Sequence, residues 1–555
     1  MISVLASTTD QPVAREFFEL FKTPWRFYEP GSPVEILLAT QGAIPDCEAK
    51  LVILFSSQTL ALDGETTETK AGAAWFRQDG CELPIYTQFL ADAAAPPAPD
   101  AASALGQKAQ IVFRRSESRG RPLIRIGFDL FAEIRHLLTT GQPPENGAAP
   151  TLDRHIAFLR QLILGQGLPL LEIPPRPAGH EFIACLTHDV DHPGIRNHRF
   201  DHTMFGFLYR ATAGSLLDVC TQRKSLGQFG QNLSAVLRLP LVHLGLARDF
   251  WLQFEQYTAL EAGRPSTFYV IPKKGEPGLD ARGRRMPRRA ASYDAADLRD
   301  MLQQLESAGK EVTVHGLDAW RDSAAGQDER RRIGCLVKNP ASGVRMHWLY
   351  FDADSPRKLE AAGFDYDSTM GYNSTVGYRA GTAQVFKPLA AGRLLELPMH
   401  IMDTALFYPS YLHLTPRQAE DVVRPLLDHA VDFGGALTVN WHDRSLAPER
   451  LWGDFYRRLI WQMEQRKAWF ATAAQCVAWF RQRRAAAFET LPGGGITVKL
   501  PGPDTEVPPL RVRVYRPQTT VMDETLHDGW QTRLTCTGAQ PAPEPARRTP
   551  LGVEC

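Results

Sequence analysis

The chain has 555 residues, 62 of them basic and 62 acidic, so its formal net charge is zero. That length suits roughly two to four domains with a large core, and hydrophobic and charged fractions of 44% and 22% are those of an ordinary globular protein. The balance excludes the basic excess of a nucleic-acid binder, and no stretch approaches the about 20 apolar residues of a membrane span, so no integral membrane segment is expected.

Residues 1–175 are expected to form an N-terminal α/β accessory domain. Gln11 to Phe21 and Leu130 to Leu138 pattern as helices, and Val34 to Ala39, Leu51 to Phe55 and Leu123 to Phe128 as strands. Residues 92–106 are rich in Ala and Pro and are expected to be a loop. The start of the chain has acidic residues and no basic stretch leading into an apolar run, so no secretory signal is read and a cytoplasmic location is expected. The eight cysteines form no C-x-x-C pair, which removes zinc-ribbon and thioredoxin readings.

From 176 to 488 strand and helix signals alternate, which predicts a parallel sheet or barrel. Strands are predicted at Phe182–Leu186, Thr267–Ile271, Glu311–Val314, Leu394–Pro398 and Leu437–Trp441. Leu298, Met301, Leu302 and Leu305 share a helix face, with Gly309 suited to end it. A helix over Pro416–Val431 starts after Thr415, and another is predicted over Pro448–Gln465. Residues 203–260 read as an apolar helical insertion that covers the barrel or meets a partner. Residues 489–555 are predicted to be a short β extension, Ile496–Leu500 and Leu510–Tyr515, with a disordered Pro-rich tail.

The chemistry concentrates at strand ends. Leu186-Thr-His-Asp189-Val-Asp191-His192 follows the first apolar run and brings two carboxylates to one strand end. Their repulsion is tolerable if a metal neutralises one, or if one is a base and the other a ligand. Further polar segments follow other strands: His315-Gly-Leu-Asp318-Ala-Trp320, Arg345-Met-His347-Trp348, Tyr366-Asp367-Ser-Thr and Asn440-Trp441-His442-Asp443-Arg444. In a parallel barrel such loops converge on one face. Asp, His and Arg gathered there are the inventory of metal-assisted hydrolysis: ligands for a divalent ion, a carboxylate base and a protonated His for the leaving group. Arg282 to Arg289 is a basic cluster that either meets an anionic substrate or lies in solvent.

The order and wording of these segments resemble the polysaccharide deacetylase family, the NodB-homology domains, over roughly residues 176–485. The resemblance implies an α/β fold, a distorted (β/α) barrel of NodB type, and a metal-dependent hydrolase that removes N- or O-linked acetyl groups from carbohydrate. By the resemblance Asp189 is the general base, and Asp191 is the metal Asp, one position late because Asp-x-Asp stands where many members have Asp-Asp. His315 is the first His of the family's His-x-x-x-His pair, whose second place is taken here by Ala319. His347 is the favoured replacement, with Asp318 the alternative. Arg345 orients the base, Asp367 is Arg345's partner and His442 is the acid. The cofactor implied is a divalent metal, zinc first. Trp320, Trp348, Tyr372 and Trp441 are candidates to line a sugar cleft. Two other functions stay open: a glycan-binding barrel without turnover, and an amidohydrolase acting on a non-sugar C–N bond. A cytoplasmic carbohydrate deacetylase points to a lipid- or nucleotide-linked sugar precursor as partner. The oligomeric state is not legible.

Overall fold

The computed structural model describes residues 1–534 apart from 41, 43, 64–66, 93–109, 493–494, 501, 503–505, 517–520, 528 and 533. Most of the Ala/Pro-rich loop and the Pro-rich tail expected from the sequence lie outside these residues.

The Phe182–Val190 strand is buried at all nine positions. Strands covered on both faces read as near-continuous apolar runs, and parallel sheets are built from such strands. Around it the order is Leu395–Glu396, Tyr366–Asp367, Gly343–Met346, Glu311–Gly316, Thr267–Val270, Phe182–Val190, Ala436–Asn440 and Ile401–Met402, with Ala468–Ala471 also against Phe182–Cys185. Every pairing is parallel. The two edge strands, Leu395–Glu396 and Ile401–Met402, are joined by residues 397–400 alone. Four residues reach at most about 17 Å fully extended, so the sheet must curl until its edges nearly meet. The architecture is therefore a distorted parallel β/α barrel with further domains attached.

Three local expectations need correction. The first strand does not stop at Leu186; Thr187 to Val190 continue it, paired with Thr267 to Val270. Polar side chains are accommodated there because each finds a partner, such as Thr187 Oγ1 donating to the Val439 carbonyl at 2.8 Å. The run read as one strand, Leu394–Pro398, is strand only at Leu395–Glu396, and the other edge strand, Ile401–Met402, lies beyond it. The helix expected from Pro448 begins at Gly453, because Leu451 is left-handed at φ 59° and breaks the turn before it. By contrast the Pro416–Phe433 helix starts as expected, with a reciprocal Thr415–Gln418 capping box, a device worth about 1 kcal/mol.

Before the barrel, a sheet ordered Phe113–Ser118, Arg121–Ile126, Leu51–Phe55, Ile36–Ala39, Ile2–Leu5 and Trp25–Phe27 is parallel except for its first hairpin. The helices Gln11–Phe21, Leu130–Thr139 and Thr151–Leu164 contribute to its core. The residues around Gly147 and Gly377 meet closely. Tyr378 N donates to the Gly147 carbonyl at 2.7 Å. Gly377 sits at φ 134°, where an added Cβ would lie 2.1 Å from that same oxygen, so only glycine permits the contact. After the barrel, Arg511–Tyr515 pairs antiparallel with both Leu170–Glu172 and Met522–Thr525. The insertion is helical over His202–Tyr209, Ser215–Cys220, Leu226–His243 and Phe254–Glu261.

Candidate functional site

Asp189 and Asp191 are two apart on the extended central strand and its end, so their side chains leave the same face. Asp189 is buried, with Arg345 Nη1 donating to Oδ1 at 2.9 Å and Asn440 Nδ2 donating to Oδ2 at 2.7 Å. Burial opposes its ionisation, but Arg345 first and then His315 and His442 hold the carboxyl below the usual carboxylate range. It is a charged, fixed acceptor.

Asp191 faces three imidazoles. Its Oδ1 lies 3.4 Å from His315 Nε2 and 3.6 Å from His347 Nε2, and its Oδ2 lies 3.9 Å from His442 Nε2. Asp191, His315 and His347 each offer one ligand atom, and these lie within 4.8 Å of one another. Asp191 Oδ1 is buried without a hydrogen-bond partner, as is His347 Nδ1. Buried polar atoms are nearly always satisfied, so an orphaned carboxylate oxygen between two imidazole nitrogens is a place that could hold a cation. His315 meets the remaining requirement: its Nδ1 is 2.9 Å from the Arg345 carbonyl, which fixes the proton there and turns the Nε2 lone pair to the site. Burial pushes the His347 imidazole down to about 3, so it is neutral near pH 7, as a ligand must be. Burial also opposes ionisation of Asp191, yet the surrounding imidazoles, His347 first, hold it well below the carboxylate range.

His347 follows the Gly343–Met346 strand, and the two residues after it, Trp348 and Leu349, are left-handed at φ 64° and 55°. Such backbone persists only where the surroundings enforce it. Arg289 does so here: it is buried, and its Nη2 donates to the His347 carbonyl at 2.9 Å. The basic cluster thus divides, with Arg282, Arg284, Arg285 and Arg288 exposed and Arg289 positioning the site. Asp318 is elsewhere; its Oδ1 accepts from Leu279 N at 2.9 Å.

On the other side of the cluster, His442 Nδ1 donates to Asp403 Oδ1 at 2.6 Å, and Asp403 Oδ2 accepts from His442 N at 2.7 Å and from Ser445 Oγ. Burial would lower the His442 pKa, but Asp403, with Asp191 and Asp189 beyond it, raises it to about 9. His442 is therefore an imidazolium near pH 7.

Two expectations fail. Asp367 is not Arg345's partner: the guanidinium donates to Thr187 Oγ1 at 2.8 Å, Asp189, the Ser368 carbonyl at 3.0 Å and Ser368 Oγ at 2.9 Å. Asp367 instead accepts from Thr369 Oγ1 and stands in register with Glu396. Burial pushes its pKa up to about 6. Nor do the aromatics line one cleft. Trp441 is fully buried and stacked on Phe455 at 5.9 Å, and Trp320 is in the core. Tyr372 is buried, with its hydroxyl on the Gln142 carbonyl at 2.8 Å. Trp348, 37% exposed and 5.9 Å from the His347 ring, is the one of the four open to solvent at the site.

Asp403 and the role of Asn440 were not predicted. The signal for Asp403 was present: Pro398-Met-His-Ile-Met-Asp403 is an apolar run that ends in a carboxylate.

No family model matches the chain, and no curated protein matches it. Among solved structures, a protein of Mycobacterium smegmatis described as a polysaccharide deacetylase is similar at 18% identity and TM-score 0.34, over 56% of this chain and 94% of its own. A Pseudomonas aeruginosa PAO1 protein of the same description is similar at 15% identity and TM-score 0.34, over 56% and 95%. The allantoinase Puue is similar at 13% identity and TM-score 0.34, over 55% and 93%. Over somewhat more than half its length, the chain is similar in structure to proteins described as polysaccharide deacetylases, the family its motifs resemble.

Proposed function

We propose that the protein is a divalent-metal hydrolase that removes acetyl groups, N- or O-linked, from a carbohydrate. The observation that carries the reading is the orphaned Asp191 oxygen between His315 and His347, flanked by an ionised Asp189 on one side and a protonated His442 on the other. Asp191, His315 and His347 would hold the ion. Two imidazoles and one carboxylate with room for water are the donor set of catalytic zinc sites, so zinc is the first candidate. When bound, a divalent ion there would polarise the acyl carbonyl and acidify water.

The chain's own residues supply the rest. Asp189, held ionised and in place by Arg345 and Asn440, accepts the proton of the attacking water at its carboxylate. Arg345 spends its donors on Asp189, Thr187 and Ser368, so it fixes the base and does not reach substrate. His442 donates its Nε2 proton to the departing nitrogen or oxygen, and Asp403 keeps that proton available at neutral pH. Trp348 offers a ring face for a sugar at the rim. Residues 1–175 serve as an accessory domain in this reading, and a lipid- or nucleotide-linked sugar precursor remains the substrate class to try first.

The test is metal analysis with an acetate-release screen on acetylated sugars. The wild type should hold about one divalent ion per chain and release acetate, and His315→Ala should lose both. Equal, full metal content in the two proteins would sink the assignment. A wild type that binds acetylated sugar while holding no ion and releasing no acetate would instead favour a binding barrel.

A further inference from the structure

Eleven of the nineteen exposed large apolar side chains among the described residues fall between 200 and 246, so the insertion carries most of the apolar surface that the fold leaves bare. In the Leu226–His243 helix, Asn232, Ala235, Leu239 and Val242 are buried against the rest of the insertion. Leu226, Leu233, Leu237, Leu241 and the following Leu244 fall on the opposite side, within roughly a quarter of the circumference at about 3.6 residues per turn. They are 75%, 37%, 78%, 45% and 72% exposed. One helix thus has two apolar faces, one packed inward and one turned out.

The charge around this stripe leans basic. Residues 196–261 hold seven Arg or Lys against three Asp and two Glu, in a chain whose net charge is zero. All five acids are spent: Glu255 pairs with Arg248 at 2.7 Å, and Glu261 with Lys310 and His188. Asp249 accepts from the Ile195 and Arg196 amides at 3.1 and 2.9 Å, Asp201 caps the next helix, and Asp218 pairs with Lys224 at 3.2 Å. Arg196, Arg199 and Arg238 are exposed, and the Arg196 guanidinium donates to the Val242 and Ala247 carbonyls.

We propose that the insertion docks the protein on an anionic lipid surface. An exposed leucine face flanked by arginines is the pattern of a helix lying in the interface plane, leucines at the acyl boundary and guanidiniums among lipid phosphates. A second copy meeting the same face would oppose like charges, which disfavours self-pairing. Within the described residues no helix is long and apolar enough to cross a membrane. The insertion follows Asp191 by about ten residues and touches the strand-end loops, with Arg444 over the Trp251 ring at 5.1 Å and His192 Nδ1 3.2 Å from His198 Nε2 in the lead-in. This proposal stands whether or not the site is a hydrolase.

The experiment is co-sedimentation of the full chain with vesicles of phosphatidylcholine alone and with about 30% phosphatidylglycerol. Binding to the anionic vesicles should exceed binding to the neutral ones by about tenfold or more and fall with salt. The triple change Leu233→Gln, Leu237→Gln, Leu241→Gln should weaken binding at least about tenfold, with circular dichroism and metal content unchanged. The pair Arg199→Glu, Arg238→Glu should weaken it independently and keeps the proposal testable if the leucine variant does not fold. A wild type that stays in the supernatant with both vesicles would overturn it, as would variants that bind like the wild type. Concentration-dependent self-association, lost in the leucine variant without vesicle binding, would assign the face to a second copy instead.

Discussion

The central strand carries two buried histidine–carboxylate clusters on its opposite faces, and they differ in one respect. His188 and Asp189 are neighbours, so one side chain leaves each face. Behind the strand, His188 Nε2 meets Glu261 Oε1 at 2.7 Å and its Nδ1 meets the Trp441 carbonyl at 2.7 Å. Glu261 also accepts from Tyr456 Oη at 2.8 Å, Ser266 Oγ at 2.7 Å and the buried Lys310 ammonium. Each polar atom of His188 and Glu261 is satisfied. In front of the strand the same residue types leave Asp191 Oδ1 and His347 Nδ1 unpartnered. Residue type alone does not separate a structural cluster from a reactive one. What separates them is whether the protein completes its own hydrogen bonds or leaves a place for something else.

The sharpest way to test that contrast is at Asp189. Asp189→Asn keeps the shape, and the new amide is tolerable because Asn440 Oδ1, unpartnered at present, can turn to accept from it. An amide cannot take the proton from water. Turnover should fall by about 10²–10⁴ with metal content unchanged, as for loss of a general base. Parallel measurements of kcat and bound metal decide it. If metal and activity vanish together, Asp189 is a ligand and the two carboxylates have exchanged roles.

The satisfied cluster should respond in stability instead. Glu261 is held down at about 2, against its burial, by His188 and Lys310. A carboxyl with a lowered pKa contributes stability that is complete above its ordinary 4.5 and is lost as the pH falls through about 2. Glu261→Gln leaves the Lys310 ammonium buried with the Arg264 carbonyl, at 2.6 Å, as its remaining partner. Breaking a buried pair from one side typically costs about 3–5 kcal/mol. Urea unfolding should show that loss at pH 7, while the folded variant keeps its metal and turns over within about threefold of the wild type. Loss of metal in this variant would break the comparison, because the two faces would then be one site.

The strand-end motifs were legible because a barrel's chemistry sits where apolar runs stop, and Asp189, Asp191, His315, Arg345, His347 and His442 all lie at such stops. What was not legible depends on long-range closure. Asn440 reaches Asp189 across 251 positions, and Asp403 reaches His442 across 39. No local pattern encodes either pairing. The Leu395–Glu396 and Ile401–Met402 strands are too short for any periodicity, so the curl they close could not be read. Thr187 and His188 look like the end of a strand by polarity. They continue it because Val439, Trp441 and Glu261 satisfy them from other parts of the chain. Trp441 was misread for a related reason: next to a catalytic-looking His it suggests a cleft, yet alternation along the strand sends it into the core.

The narrowest effect is expected at His442, where the two sides of the reaction come apart. With its pKa raised to about 9, the imidazole is charged at neutral pH. The sign follows from that rise: the stabilisation gained from Asp403 is complete below the ordinary 6.5 and disappears as the pH rises through about 9. An acid with that pKa gives kcat on an acetamide substrate a limb that falls near pH 9. A departing amine must be protonated, so His442→Ala should cost about 10²–10⁴ on an N-acetyl sugar and should abolish the alkaline limb. A departing activated phenolate needs no proton, so the same change on an aryl acetate should cost less than about tenfold. Comparable losses on both substrates would show that His442 acts through metal binding or on the oxyanion, because those roles serve the amide and the ester alike.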